Sequence, residues 1–438
     1  MEKITFEQLQ EELYYEKLSN GLDVYILPKK GFNKTYATFT TKYGSIDNHF
    51  VPLGKDEYVK VPDGIAHFLE HKLFEKEDGD VFQQFSRQGA SANAFTSFTR
   101  TAYLFSSTSD VELNLETLMD FVQEPYFTEK TVEKEKGIIG QEITMYDDNP
   151  DWRLYFGLIE NLYQNHPVKI DIAGTIESIS HITKDMLYEC YNTFYHPSNM
   201  LLFVVGPVDV DKIMKQIKDN QEKKPFEAQS EIKRKFEPEI KEVNEAKKVL
   251  EMNVQTSKCL LGIKALHDNQ SGVDMLRNEL TTNVLLDMLF GKSSSNYEKL
   301  YDQGLIDDTF SYDYTQEMGF GFAMLGGDTS DPEKLVESLK QMLMEAKTTG
   351  LTKEGLERTK KKKIGGFLRA INSPEFIANQ FTRYAFNEMD LFDVVPTLEK
   401  ITLEDVQKIA NEFISEERFS VCQVIPKKVE TVTNHIVK

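Results

Sequence analysis

Residues 63–74 read DGIAHFLEHKLF and contain His67, Glu70 and His71 in the spacing H-x-x-E-H. The stretch has a helical pattern of apolar residues. Residues four apart on a helix point the same way, so His67 and His71 can offer two imidazole nitrogens to one metal ion. Glu70 lies on nearly the same face, where its carboxylate can act as a general base. This is the inverted form of the zinc-protease signature H-E-x-x-H. Such a site needs a third ligand from elsewhere in the chain.

The stretch TVEKEKGIIGQEITMYDDNPD, residues 131–151, supplies one. It reads as a helix with Thr128 and Thr131 as candidate caps, Glu129 and Glu133 in the first turn, and no proline before Pro150. Glu135 and Glu142 are seven residues apart and share one face. A zinc ion with two histidine ligands takes a carboxylate as its third and keeps a fourth position open. Glu142 is the expected ligand, and Glu135 is expected just outside it, orienting a ligand.

HFLEH followed by EKEKGIIGQEI resembles the M16 metallopeptidases, the family of insulysin, pitrilysin and the mitochondrial processing peptidase, and in particular its small-subunit group. Four other stretches agree: LSNGLDVYILPK, GASANAFTSFTRTAYLF, FYHPSNMLLFVVGPVD and FGKSSSNYEKLYDQGLI. The second of these resembles the family's substrate-binding edge strand. The resemblance implies His67, His71 and Glu142 as zinc ligands, one zinc per chain, Glu70 as base and Glu135 behind the ligands. It also implies that Asn93 and Ala94 lie along the scissile peptide. An exposed strand edge binds an extended peptide through backbone groups and so tolerates many sequences.

Composition sets limits on the function. The chain has 438 residues, enough for two or more domains with cores of their own. Its formal net charge of −20 argues against nucleic acid and against anionic membrane surfaces as partners. The apolar run Met200–Gly206 has strand length and is too short to span a bilayer. The N-terminal segment is charged and acidic, unlike a secretory signal. Cys190, Cys259 and Cys422 are widely spaced and read as buried free thiols. A cytoplasmic location is expected.

The chain also repeats itself. Residues from Asn192 parallel those from Asn411 at an offset of 219, and residues from His71 parallel those from Asp287 at an offset of 216. The expected organisation is a zinc-binding domain over residues 1–218, a charged linker over 219–248 and a metal-free homologous domain over 249–438. In this register His67 falls on Asn283, Glu70 on Leu286 and His71 on Asp287, so the second half has lost the metal site. The expected fold class is α+β, with two related α/β sandwiches and mostly antiparallel sheets. The family implies one bowl-shaped half of a clamshell.

The expected activity is zinc-dependent hydrolysis of short unfolded peptides inside an enclosed chamber. Larger family members place an Arg and a Tyr near the substrate from a second catalytic half. Phe322 falls about where that Arg would be, so a homologous metal-free partner subunit is expected, with a homodimer as the other arrangement. A non-proteolytic peptide-binding or scaffold subunit is the alternative function. Other signals fail. GKSSS at Gly291 lacks the earlier glycine of a phosphate loop. His166 and His196 precede prolines and read as turn residues.

Overall fold

A computed structural model describes residues 1–266 and 270–427. The first half opens with strands β1 (Glu2–Phe6), β2 (Glu11–Lys17), β3 (Asp23–Pro28) and β4 (Thr35–Thr41). Two short ribbons follow, β5 (His49–Phe50) with β6 (Val59–Lys60) and β7 (Glu75–Lys76) with β8 (Gly79–Asp80). Helix α1 (Ile65–Leu73) lies between them, and α2 (Val81–Arg87) leads into the hairpin β9 (Ala90–Thr96) and β10 (Thr101–Ser107). Five helices come next: α3 (Val111–Gln123), α4 (Glu129–Asp147), α5 (Pro150–Leu162), α6 (Ile176–Ser180) and α7 (Lys184–Phe194). Strand β11 (Met200–Gly206) and helix α8 (Val210–Glu222) complete this half.

The second half repeats the plan. Strands β12 (Lys247–Met252) and β13 (Ser257–Lys264) precede helices α9 (Gly272–Phe290) and α10 (Ser295–Asp302). The hairpin β14 (Ser311–Glu317) and β15 (Phe320–Thr329) is followed by α11 (Pro332–Glu345), α12 (Lys353–Ala370) and α13 (Pro374–Phe386). Helices α14 (Val394–Lys400) and α15 (Leu403–Phe413) lead to the last strand, β16 (Phe419–Pro426).

The sheets show the repeat directly. The first has the order β1-β2-β3-β11-β4-β10-β9 and the second β12-β16-β13-β15-β14. In each, one parallel pair (β3 with β11, β12 with β16) sits among antiparallel neighbours. The central strand β11, MLLFVVG, is buried along its whole length. A strand covered on both faces reads as a continuous apolar run, which is why its sequence lacks alternation. The expected α+β class with mostly antiparallel sheets is the observed one.

The two halves exchange equivalent helices. Helix α5 of the first half packs on β13 and β16 of the second sheet, while α13 of the second half packs on β4 and β11 of the first. Glycines permit the close approach of α5. A Cβ on Gly157 would stand 2.9 Å from Cys422 Sγ, and one on Gly262 3.0 Å from the Leu158 side chain.

The chain between α8 and β12, residues 223–246, has no helix or ladder strand of its own, and it is docked rather than free. Arg234 donates to Asp47 at 2.7 Å and to the Lys42 carbonyl at 2.5 Å. Glu239 accepts from Lys264 at 2.8 Å and from the backbone N–H groups of Gln164, Asn165 and His166 at 3.0, 2.7 and 2.7 Å. Arg234 and Glu239 thus tie this otherwise largely exposed, charged segment to both halves.

Candidate active site

Helix α1 starts at Gly64, whose φ of 89° is costly for any residue with a Cβ. Its apolar residues Ile65, Phe68, Leu69 and Leu73 are buried in the first-half core, which fixes the rotation of the helix. His67 and His71 then share a face, with ring centroids 4.6 Å apart. Helix α4 is capped by Thr128, which accepts from the Thr131 N–H while Thr131 returns a bond to the Thr128 N–H. Buried Val132, Ile139 and Ile143 seat α4 and turn Glu135 and Glu142 toward α1.

The two helices bring three donors together. His67 Nε2 and His71 Nε2 stand 3.7 and 3.5 Å from Glu142 Oε2. Ligand atoms of His67, His71 and Glu142 all lie within 4.8 Å of one another. On the far side of His71, Nδ1 lies 3.1 Å from Glu135 Oε1. That contact holds the proton on Nδ1 and leaves Nε2 free. Two imidazole nitrogens and one carboxylate oxygen suit zinc.

The electrostatics treat the two histidines differently. Burial, helped by the neighbouring His71, pushes His67 down to about 4, so it is neutral at physiological pH and its lone pair is available. Burial opposes charge on His71 too, but the Glu135 hydrogen bond and the carboxylates of Glu70 and Glu142 outweigh it and raise its pKa. His67 Nδ1 is buried without a hydrogen-bond partner.

Glu70 is buried, and burial raises its pKa above the ordinary carboxylate value. The Thr96 hydroxyl donates to its Oε2 at 2.6 Å, and the charges of His71 and Glu142 act on it. Thr96 ends β9, so the candidate base is fixed to the strand at the rim of the sheet.

Residues 90–107 form a hairpin rather than a single strand, and only β9 is the edge. Asn93 is exposed and Ala94 half-buried on it, opposite Leu104 and Tyr103 of β10. Asn93 Oδ1 accepts the Ala94 N–H at 2.9 Å, so this backbone donor is satisfied by its own neighbour.

Sequence reasoning missed two groups. Thr96 gave no signal. Tyr146 did, being four residues after Glu142 on one helix. Its hydroxyl donates to Glu142 Oε1 at 2.7 Å.

The corresponding place in the second half is occupied differently. Asp287 on α9 accepts from Lys362 on α12 at 3.0 and 2.9 Å, and Lys363 stands 3.7 Å away. Leu286 is buried, and the Asn283 amide donates to the Glu279 carbonyl within its own helix. Ammonium groups thus sit against α9, where α1 meets Glu135 and Glu142. Phe322 on β15 is buried, 6.4 Å from the ring of Tyr163. His166 and His196 are structural: each Nδ1 accepts a backbone N–H two residues on, at 3.1 and 3.2 Å.

Known proteins share this architecture. Residues 57–176 match the family model described as Insulinase (Peptidase family M16), and residues 181–363 match the Peptidase M16 inactive domain. The chain is 69% identical to the uncharacterized zinc protease YmfH of Bacillus subtilis (strain 168), over 97% of this chain and 99% of that one. The chain belongs to the M16 peptidase family. A second relative, the uncharacterized zinc protease YmxG of the same organism, is 27% identical over 81% of this chain and 86% of its own.

Among solved structures, an M16-like peptidase from Alicyclobacillus acidocaldarius matches with a TM-score of 0.92 at 38% identity, covering 95% of this chain and 99% of that one. Pitrilysin matches in fold, with a TM-score of 0.76 at 15% identity, over 97% of this chain and 46% of its own. The five residues of the candidate centre, His67, Glu70, His71, Glu135 and Glu142, all fall within the insulinase match.

Proposed function

We propose that this M16 chain is a zinc-dependent peptidase of short unfolded peptides, with His67, His71 and Glu142 as zinc ligands and Glu70 as general base. The observation that carries this reading is the convergence of those three ligand side chains within 4.8 Å, beside a buried carboxylate tied to the edge strand. His67, His71 and Glu142 would hold zinc, which would supply a water of lowered pKa and a polarised carbonyl. Glu70 takes the proton of the attacking water and passes it to the leaving amine. Its Oε2 is occupied by Thr96, which leaves Oε1 for that proton. Glu135 holds the His71 ring in the required tautomer.

The peptide lies antiparallel or parallel along β9, with Asn93 and Ala94 nearest the scissile bond. Its carbonyl replaces Asn93 Oδ1 as acceptor of the Ala94 N–H. Backbone recognition of this kind suits an extended substrate and excludes folded proteins.

The working form pairs this chain with a homologous, metal-free subunit. Two observations support that arrangement. The chain matches 46% of the length of pitrilysin, and the buried Phe322 stands about where the family resemblance implies an Arg. No helix among the described residues is long and apolar enough to cross a membrane. Three free, buried cysteines fit a cytoplasmic setting.

The test is metal analysis with a cleavage assay on an unstructured peptide, with and without chelator, for the chain alone and mixed with a metal-free homologue. About one zinc per chain and chelator-sensitive cleavage, faster in the mixture, are expected. Bound zinc without cleavage in any combination would favour a peptide-binding subunit instead.

A further inference from the structure

We propose that Tyr146 is the positioning residue for the third metal ligand and that it works through a relay to Trp152 and Asp171. The inference rests on the zinc site proposed above.

Glu142 has two oxygens, and the structure gives them different partners. Oε1 accepts from the Tyr146 hydroxyl at 2.7 Å, while Oε2 faces both imidazoles. A free glutamate at this exposed end of α4 would sample several rotamers, at a cost in ordering when a metal binds. The phenol fixes the carboxylate before metal arrives and commits one oxygen to a neutral donor.

Tyr146 is itself held. Its ring stacks on Trp152 with centroids 4.2 Å apart and planes 11° from parallel. The Trp152 indole donates to Asp171 Oδ2 at 2.5 Å, and Asp171 Oδ1 accepts the Ala173 N–H at 3.0 Å. Ala173 reaches the start of α1, because a Cβ on Gly64 would meet the Ala173 carbonyl oxygen at 2.3 Å. Ser178 reinforces the junction by donating to the Asp63 carbonyl at 2.8 Å.

These contacts close a ring. It runs from Glu142 through Tyr146, Trp152, Asp171 and Ala173 to Gly64, and returns along α1 to His67 and His71. The ring sets the spacing of the helix that carries two ligands against the helix that carries the third. Partners behind a metal ligand commonly change affinity about 10- to 100-fold when removed.

The experiment measures zinc affinity of the full chain by chelator competition, so it needs no turnover. Tyr146→Phe keeps the stack on Trp152 and deletes the hydroxyl. It is expected to weaken zinc about 10-fold or more. The visible bands of the cobalt-substituted variant should shift, because the carboxylate is released. Trp152→Phe keeps an aromatic ring and removes the donor to Asp171, and a smaller loss in the same direction is expected. The metal-free Tyr146→Phe chain should melt with the wild type. Zinc affinity within twofold of wild type with an unchanged cobalt spectrum overturns the inference while leaving the zinc reading intact. So does a loss that merely tracks a lower metal-free melting temperature. A wild-type chain that takes up no zinc overturns both.

Discussion

The Thr96 hydroxyl donates to Glu70 Oε2 at 2.6 Å, so the proposed base is bonded to the last residue of the strand proposed to carry the substrate. Docking a peptide on β9 and aiming the base are then functions of one element. Thr96→Val removes the donor at nearly constant volume. Turnover should fall about 10-fold with zinc content unchanged, a modest share of what a general base contributes. Thr96→Ser should restore most of it. Equal rates for the valine and serine variants would dismiss the bond as a catalytic aid.

His71 is held from both sides, by Glu135 at Nδ1 and facing Glu142 at Nε2. His71→Ala should leave the purified chain without zinc. Glu135→Gln should retain it but weaken binding about 10-fold or more, because the ring loses its charged acceptor. Metal analysis after dialysis distinguishes the two. Full zinc in His71→Ala contradicts the ligand assignment.

The seam between the halves depends on bare backbone at Gly157, where a Cβ would meet Cys422 Sγ at 2.9 Å. Gly157→Val should destabilise the chain by about 2 kcal/mol through overpacking, despite removing a helix-interior glycine. Denaturant unfolding measures this. A change below about 0.5 kcal/mol, the range of inert surface substitutions, would show that the seam yields easily.

Much of the site was legible because helical spacing converts directly into shared faces. His67 with His71 and Glu135 with Glu142 are local pairs, and Thr128 caps α4 as its sequence indicates. The repeat was legible where element lengths agree. The offset of 219 carries α7 (Lys184–Phe194) onto α15 (Leu403–Phe413) and β11 onto the start of β16. It also carries the start of β10 (Thr101) onto the start of β15 (Phe320), and it slips by two residues at the first hairpin strand, where β9 begins at Ala90 and β14 at Ser311. Thr96 meeting Glu70 and Asp171 meeting Trp152 are tertiary contacts without a local pattern. The helix exchange was hidden too, because an apolar face does not say which sheet it covers. The pairing of Arg234 and Glu239 within the linker expected over 219–248 was not legible, because charge alone does not distinguish solvated side chains from paired ones.

Glu239 illustrates that last point and gives a pH prediction. Burial opposes its charge, but Lys264 and the N–H groups of residues 164–166 overcome this and hold it at about 2, against an ordinary value of 4.5. The folded pKa lies below the unfolded one. Its stabilisation is therefore complete above about pH 5 and is lost as pH falls toward 2. Glu239→Gln should lower the melting temperature at neutral pH and flatten its fall over that acid range. An unchanged acid slope would contradict the assignment.

The central claim is that Glu70 acts as base beside a zinc ion held by His67, His71 and Glu142. It is tested most directly by assaying zinc-loaded wild type and Glu70→Gln side by side on an unstructured peptide, each mixed with the metal-free homologue. Glutamine is nearly isosteric but cannot take a proton, so the variant should keep its zinc and lose about 100-fold or more in rate. Cleavage by zinc-loaded Glu70→Gln at the wild-type rate would contradict the account.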